Sequence, residues 1–158
     1  MERRVIRLLL VAGFALAATS CDSIFEPRDH VYDGPPLVEF APVLPAGNYT
    51  RSVSFPAGST ATNAVNVTVQ YIGPPPSSNV SGTFTVGGTA VRDTHYSVAS
   101  TTYTIAAGSN SVSIPISILG GGLANGQSVS LLLELVPGDV GVSENYKQFT
   151  ISATKAAS

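Results

Sequence analysis

The sequence carries little charge and contains no tryptophan. Only 11% of its 158 residues are Asp, Glu, Lys or Arg, well below the roughly 25% of an ordinary soluble domain. After Cys21, five basic residues stand against nine acidic ones, a net charge of −4. Because binding to phosphates needs clustered Lys and Arg, this balance offers no footprint for nucleic acid. We therefore expect no nucleic-acid partner.

Cysteine and histidine are also scarce. Cys21 is the only cysteine, so no intrachain disulfide can form and packing must stabilise the fold. The two histidines, His30 and His95, have no second His or Cys at metal-ligand spacing. His95 lies beside a predicted turn, where we expect it to hydrogen-bond the backbone. The sequence thus predicts neither a metal site nor a cofactor.

The N-terminal residues 1–20 are typical of a signal peptide. Arg3, Arg4 and Arg7 precede an apolar run, Leu8–Ala18, of 11 residues. A run of this length is too short to span a bilayer, and the basic flank followed by small residues is the pattern of an export signal. We therefore predict that the chain leaves the cytoplasm.

Two cleavage sites fit the end of this segment. The residues Ala-Thr-Ser-Cys at 18–21 resemble a bacterial lipobox, although Ala18 stands where Leu is usual. The resemblance implies that Cys21 receives lipid, such as palmitate, and becomes the mature N-terminus. Alternatively, an A-x-A site at Ala15–Ala17 releases a soluble form. Since the lipobox gives the only cysteine a role, we expect a membrane anchor at Cys21.

Residues 21–36 are predicted to be a tether. The segment is acidic, contains Pro27, Pro35 and Pro36, and lacks periodicity, so an extended polyproline-like chain is expected. Its early acids resemble the export signal of Bacteroidota surface lipoproteins, whereas Asp directly after the lipidated Cys resembles the inner-membrane retention signal of enteric bacteria. The predicted location is a bacterial cell envelope, with the outer membrane or cell surface favoured over the inner membrane.

From residue 37 onward the apolar residues alternate with a period of two, which predicts strands. Turn signals such as Gly87-Gly88 and Pro137-Gly138-Asp139 separate the alternating segments. Residues 37–158 are therefore predicted to form an all-β, immunoglobulin-like antiparallel β-sandwich of seven to nine strands. The predicted strands are 37–43, 51–55, 65–71, 80–86, 103–105, 112–118, 129–135 and 149–153. Pro115 should restrict its strand to an edge or a bulge, because proline cannot donate to a ladder.

Within this region, several motifs resemble a known family. The sequence G-T-A-V-R-D-T-H-Y at 88–96 is similar to the G-T-A-x-x-G-x-D-Y signature of Calx-β domains. It is closer to the G-T-H-Y variant of Bacteroidota-type lipoproteins of unknown function. The downstream segments Y-T-I-A-A-G at 103–108 and V-S-I-P-I at 112–116 follow at the family's spacing. The resemblance covers residues 65–154 and implies a sandwich fold.

The chain departs from the family where calcium-binding members carry an acidic loop. Asp93 stands where Calx-β sequences have Gly, and Asp tolerates the positive φ that this position implies. His95 replaces the usual Asp. The loop after the I-P-I strand, residues 120–128, contains no carboxylate, whereas calcium requires six to eight oxygens with several carboxylates among them. A calcium site of the family type is not expected.

No catalytic pattern stands out in the remaining sequence. No serine lies in a G-x-S-x-G elbow, and Gly120–Gly122 lacks the Lys-Ser/Thr of a P-loop. Asp139 and Glu144 flank a turn, where acids are usually solvated. Three tyrosines outside the core pattern are candidates for exposed aromatic side chains: Tyr32, Tyr49 and Tyr146.

These observations favour a non-catalytic, lipid-anchored protein of the cell envelope that acts as an accessory or interaction module. Its partner would be an envelope protein or a glycan, in addition to the membrane reached through lipid on Cys21. The alternative is a carbohydrate-binding accessory lipoprotein of a glycan-uptake system. No residues support a third possibility, a small envelope enzyme, so no catalytic residues are predicted.

Overall fold

The computed structural model describes residues 32–158. The predicted signal peptide, Cys21, His30 and the tether up to residue 31 lie outside these residues. Within residues 32–158, ten strands follow one another, with one short 3₁₀ helix at Gly120–Gly122. The strands are β1 Leu37–Phe40, β2 Thr50–Phe55, β3 Thr62–Ile72, β4 Val80–Gly88, β5 Tyr96–Val98, β6 Thr102–Ile105, β7 Ser111–Leu119, β8 Ser128–Val136, β9 Gly141–Val142 and β10 Gln148–Lys155.

The strands form two five-stranded sheets. The first sheet has the order β5-β7-β3-β1-β9, and the second sheet has the order β2-β10-β8-β4-β6. The two sheets pack face to face, so the predicted β-sandwich is confirmed. All eight predicted strands are present, and the structure adds two that are too short to show a period, β5 and β9. The structure therefore has ten strands, one more than the upper end of the predicted range of seven to nine.

Two edge pairings depart from the predicted antiparallel pattern. β1 pairs with β9 in parallel, and β2 pairs with β10 in parallel from Thr50↔Thr150 to Phe55↔Lys155. The cause is the path of the chain between β1 and β2. The chain leaves the first sheet after Phe40 and enters the second sheet at Thr50, so each N-terminal strand lies beside a C-terminal strand with the same direction.

The core lies between the sheets and follows the predicted alternation. Ile116 of the first sheet is 0% exposed, and Leu133 of the second sheet is 1% exposed. Near the β1 and β10 strands, the rings of Phe40 and Phe149 meet at 5.7 Å with a tilt of 57°, a favourable geometry for two aromatic rings. Burial of such side chains contributes roughly 1.5–3 kcal/mol each, which compensates for the absence of disulfides.

Pro115 lies on a locally uncovered edge of β7. β7 lies between β3 and β5, but β5 covers only Ile116–Ile118. The Leu119 N–H donates to the His95 carbonyl on the β5 side at 2.8 Å. Because backbone groups alternate in direction along a strand, the Pro115 nitrogen faces the same side, beyond the end of β5. The prediction that Pro115 restricts its strand to an edge or a bulge is therefore wrong for β7, which is interior. The proline is tolerated because its nitrogen faces the part of β7 that β5 does not cover.

Candidate functional site

His95 and Asp93 shape the turn between β4 and β5. The Nδ1 atom of His95 accepts a hydrogen bond from the Val91 N–H at 2.9 Å, and the ring is buried. Asp93 has a φ of 61°, in the left-handed region expected because Calx-β sequences have Gly at this position. The prediction that His95 bonds the backbone is therefore confirmed, and both residues are occupied in holding the turn.

The two acids near the β8–β10 connection serve different partners. The Asp139 carboxylate accepts the Ser81 N–H at 2.8 Å, at the start of β4. Glu144 instead pairs with Lys147 at 2.9 Å, and Glu134 lies 3.6 Å from the same ammonium. Within residues 32–158, no group of three His, Cys, Asp or Glu side chains is arranged to hold a metal ion.

Lys155, which the sequence analysis did not single out, supplies a cation to the glycine loop. Its side chain is only 6% exposed. Its ammonium donates to the Gly120 carbonyl at 3.1 Å and to the Leu123 carbonyl at 2.9 Å. The side-chain alternation of β10 contains a signal for this burial, because Lys155 shares the inward face of Ile151 and Ala153. The Lys155 ammonium thus supplies hydrogen bonds to two carbonyls of this loop from inside the protein.

Two tyrosines stack on each other where the first sheet meets the second. The rings of Tyr49 and Tyr146 lie 4.9 Å apart with an angle of 19°. Tyr49 is half-buried and packs against the core, whereas Tyr146 is 40% exposed. We call this pair the tyrosine platform. Tyr49 packs against one face of the Tyr146 ring, and Tyr146 is the more exposed member of the pair.

Backbone hydrogen bonds fix both tyrosines of the platform. The Tyr49 carbonyl accepts the N–H of Thr150 in β10 at 2.9 Å. The Tyr146 carbonyl accepts the N–H of Phe40 at the end of β1, also at 2.9 Å. Each tyrosine is therefore attached to a different sheet. The platform depends on the chain crossing from β1 to β2, and this long-range arrangement leaves no local signal in the sequence.

A carboxylate and an amide lie beside the platform. Gln70 donates to a Glu39 carboxylate oxygen at 2.7 Å across the β1–β3 pair. Partial burial raises the pKa of the Tyr49 hydroxyl, and the charges of Glu39 and Tyr146 raise it further. Glu39 therefore lies close enough to the platform for its charge to act on Tyr49, whose hydroxyl remains neutral at physiological pH.

A groove of about 350 Å³ opens where the chain crosses from the first sheet to the second. Its walls are the connection after β1, the edge of β3 and the edge of β2. Arg51, which is exposed, and Phe149, which is buried, also line it. No helix in residues 32–158 is long and apolar enough to cross a membrane.

Comparison with solved structures shows similarity of fold. The apo-form Calx CBD1 domain aligns with a TM-score of 0.58 at 12% identity, over 77% of this chain and 98% of that domain. A protein of unknown function from Bacteroides ovatus aligns with a TM-score of 0.58 at 18% identity, over 75% of this chain and 44% of its own. The fold expected from the Calx-β resemblance is therefore confirmed.

A second Bacteroides ovatus protein, proposed to bind carbohydrate, aligns with a TM-score of 0.55 at 14% identity. The alignment covers 76% of this chain and 37% of that protein. The chain thus spans well under half the length of the two Bacteroides ovatus proteins. Comparison with protein families and with curated proteins gives no match.

Proposed function

We propose that the protein is a non-catalytic binding module, exported to a bacterial cell envelope and anchored there by lipid on Cys21. The tyrosine platform is the observation that supports this function. Tyr146 is exposed, and the Glu39 carboxylate, whose charge acts on Tyr49, accepts a hydrogen bond from Gln70. Such groups suit contact with a partner, because an aromatic ring packs against apolar surface while a carboxylate and an amide form hydrogen bonds.

The anchor can be tested by replacing Cys21 with Ala. We expect the variant to move from the membrane fraction to the soluble fraction, because each buried CH₂ of an acyl chain contributes about 0.8 kcal/mol to membrane binding. Ser23→Ala, two residues further along, is the matched control and should stay in the membrane fraction. Intact mass spectrometry of the wild type that gave an N-terminus at Ala18 and a free thiol would contradict the anchor.

A second candidate function, carbohydrate binding in a glycan-uptake system, is favoured by the chemistry around the platform. Sugar rings carry C–H groups on one face, which pack well on an exposed aromatic ring. Their hydroxyls bond to planar acceptors and donors such as those of Glu39 and Gln70. The similar fold of a Bacteroides ovatus protein proposed to bind carbohydrate agrees with this candidate.

Tyr146→Ala tests the second candidate. Isothermal titration with xylo-, manno-, malto- and cello-oligosaccharides would measure affinity for each glycan. We expect at least one to bind the wild type, and the variant to bind about tenfold more weakly, since aromatic contacts add roughly 0.5–1.5 kcal/mol beyond area burial. Tyr32→Ala is the control, because Tyr32 is similarly exposed at 37% and bonds only the nearby Pro35 carbonyl. Equal affinity of Tyr146→Ala and wild type would rule out the platform as the sugar site.

A further inference from the structure

Half of β3 has no neighbour on one side. β1 covers only Val69–Ile72, and the last hydrogen bond on that side joins the Ala41 N–H to the Thr68 carbonyl at 2.8 Å. From residue 62 to residue 67, β3 pairs only with β7. After Ala41 the chain turns away toward the second sheet. Residues 62–67 of β3 are therefore an edge within an otherwise interior strand. We call it the bare edge.

The unpaired groups of the bare edge can be assigned from the alternation of the ladder. Thr68 points its carbonyl toward β1, so Ala64 and Asn66, at even spacing from it, point their N–H and C=O groups to the same side. In the part of the chain that the structure describes, no backbone or side-chain partner reaches these groups. They repeat about every 7 Å, the spacing at which an added strand bonds.

Arg51 places a positive charge in the groove beside this edge. Along β2, Val53 and Phe55 face the core. Arg51 has the same parity but is exposed, and it lines the groove at the start of the strand. No carboxylate within residues 32–158 lies at ion-pair distance from Arg51. A guanidinium of this kind binds carboxylates through paired hydrogen bonds.

We propose that the groove binds an extended acidic segment of another protein, which adds to β3 as a strand and places an Asp or Glu side chain on Arg51. Strand addition uses main-chain hydrogen bonds for affinity and side-chain pockets for specificity. Here Ala64 and Asn66 supply the main-chain hydrogen bonds, and Arg51 supplies the specificity. Free edges are usually guarded by charge or proline. The bare edge has neither, whereas the uncovered part of β7 carries Pro115.

Charge favours a different protein over a second copy of this chain. A second copy pairing through its own bare edge brings only Thr, Asn, Ala and Val, with no carboxylate for Arg51. The chain's own N-terminal part enters beside Ile72, where Leu37 pairs.

The test uses the full-length protein in detergent micelles and a phage-displayed library of random peptides of about twelve residues. We expect selection of peptides that alternate apolar and polar residues and contain Asp or Glu. Arg51→Gln should weaken their binding about tenfold, while Lys147→Gln, which removes an exposed cation elsewhere, should not. Hydrogen exchange at the amides of Ala64 and Asn66 should slow when a selected peptide binds.

Ala64→Pro separates binding from folding. It removes an N–H that has no partner in the sandwich, and edge strands tolerate proline, so the thermal transition should persist while peptide binding is lost. The proposal fails if no peptide is enriched, if selected peptides bind Arg51→Gln as tightly as wild type, or if they protect other amides. Concentration-dependent dimerisation that Ala64→Pro abolishes would make a second copy the occupant and also overturn it.

Discussion

Ile116→Ala and Leu133→Ala should each lower the free energy of unfolding by about 2–5 kcal/mol. Both side chains are essentially inaccessible, at 0% and 1% exposure, and they belong to opposite sheets. Truncation removes the transfer free energy of the buried carbons and leaves a cavity that a sandwich of long strands closes only in part. The loss should be large because burial is the main stabilising contribution in a domain without disulfides.

Chemical denaturation of residues 37–158 and of the full-length protein would measure this loss. Ser113→Ala provides the control, since Ser113 lies on the exposed face of the same strand as Ile116. Its effect should remain within about 0.5 kcal/mol. If Ile116→Ala lowered the free energy of unfolding as little as Ser113→Ala, the inward orientation assigned to Ile116 in β7 would be wrong.

The sequence could predict the strands because each long segment carries its own inward and outward face. In β8, for example, Val129, Leu131, Leu133 and Leu135 are buried, and Leu132, the residue that interrupts the alternation, is only half-buried. The short strands β5 and β9 escaped prediction because two or three residues cannot display a period. Their pairing depends on neighbours that are distant in the sequence, so tertiary structure decides it.

Local chemistry was also predictable at the β4–β5 turn. The resemblance to Calx-β domains, which have Gly at this position, implied a positive φ at Asp93, and the place of His95 beside a turn predicted its backbone bond. Both features depend on residues within a few positions of each other. A turn of this kind therefore needs no knowledge of the overall topology.

The candidate site was not predictable in the same way. Tyr49 and Tyr146 precede different strands, and the parallel β2–β10 pair brings them together. The sequence analysis could retain both as exposed aromatics but could not pair them, because a parallel contact between the second strand and the last one leaves no mark in periodicity. The groove beside Arg51 depends on the same crossing from β1 to β2, and it was missed for the same reason.

Lys155→Met should lower the free energy of unfolding by about 1–3 kcal/mol. Methionine retains the length and apolar stem of lysine but donates no hydrogen bond. The carbonyls of Gly120 and Leu123 would then lose the ammonium that now lies 3.1 and 2.9 Å from them. Hydrogen bonds to a charged group contribute more than neutral ones, and the removed cost of burying the ammonium offsets only part of that loss.

Thermal and urea unfolding would measure the effect, with Lys147→Met as the control. Lys147 is partly exposed and pairs with Glu144 and Glu134 near the surface, so its replacement should change stability much less than Lys155→Met does. A separate prediction concerns calcium. At about 1 mM calcium the melting temperature of the wild type should not change, whereas calcium bound at a micromolar site would add roughly 4 kcal/mol to the free energy of unfolding. The reason is that the loop already bonds a cation of the protein itself and offers no carboxylate. A calcium-induced rise in the melting temperature of the wild type would contradict this expectation.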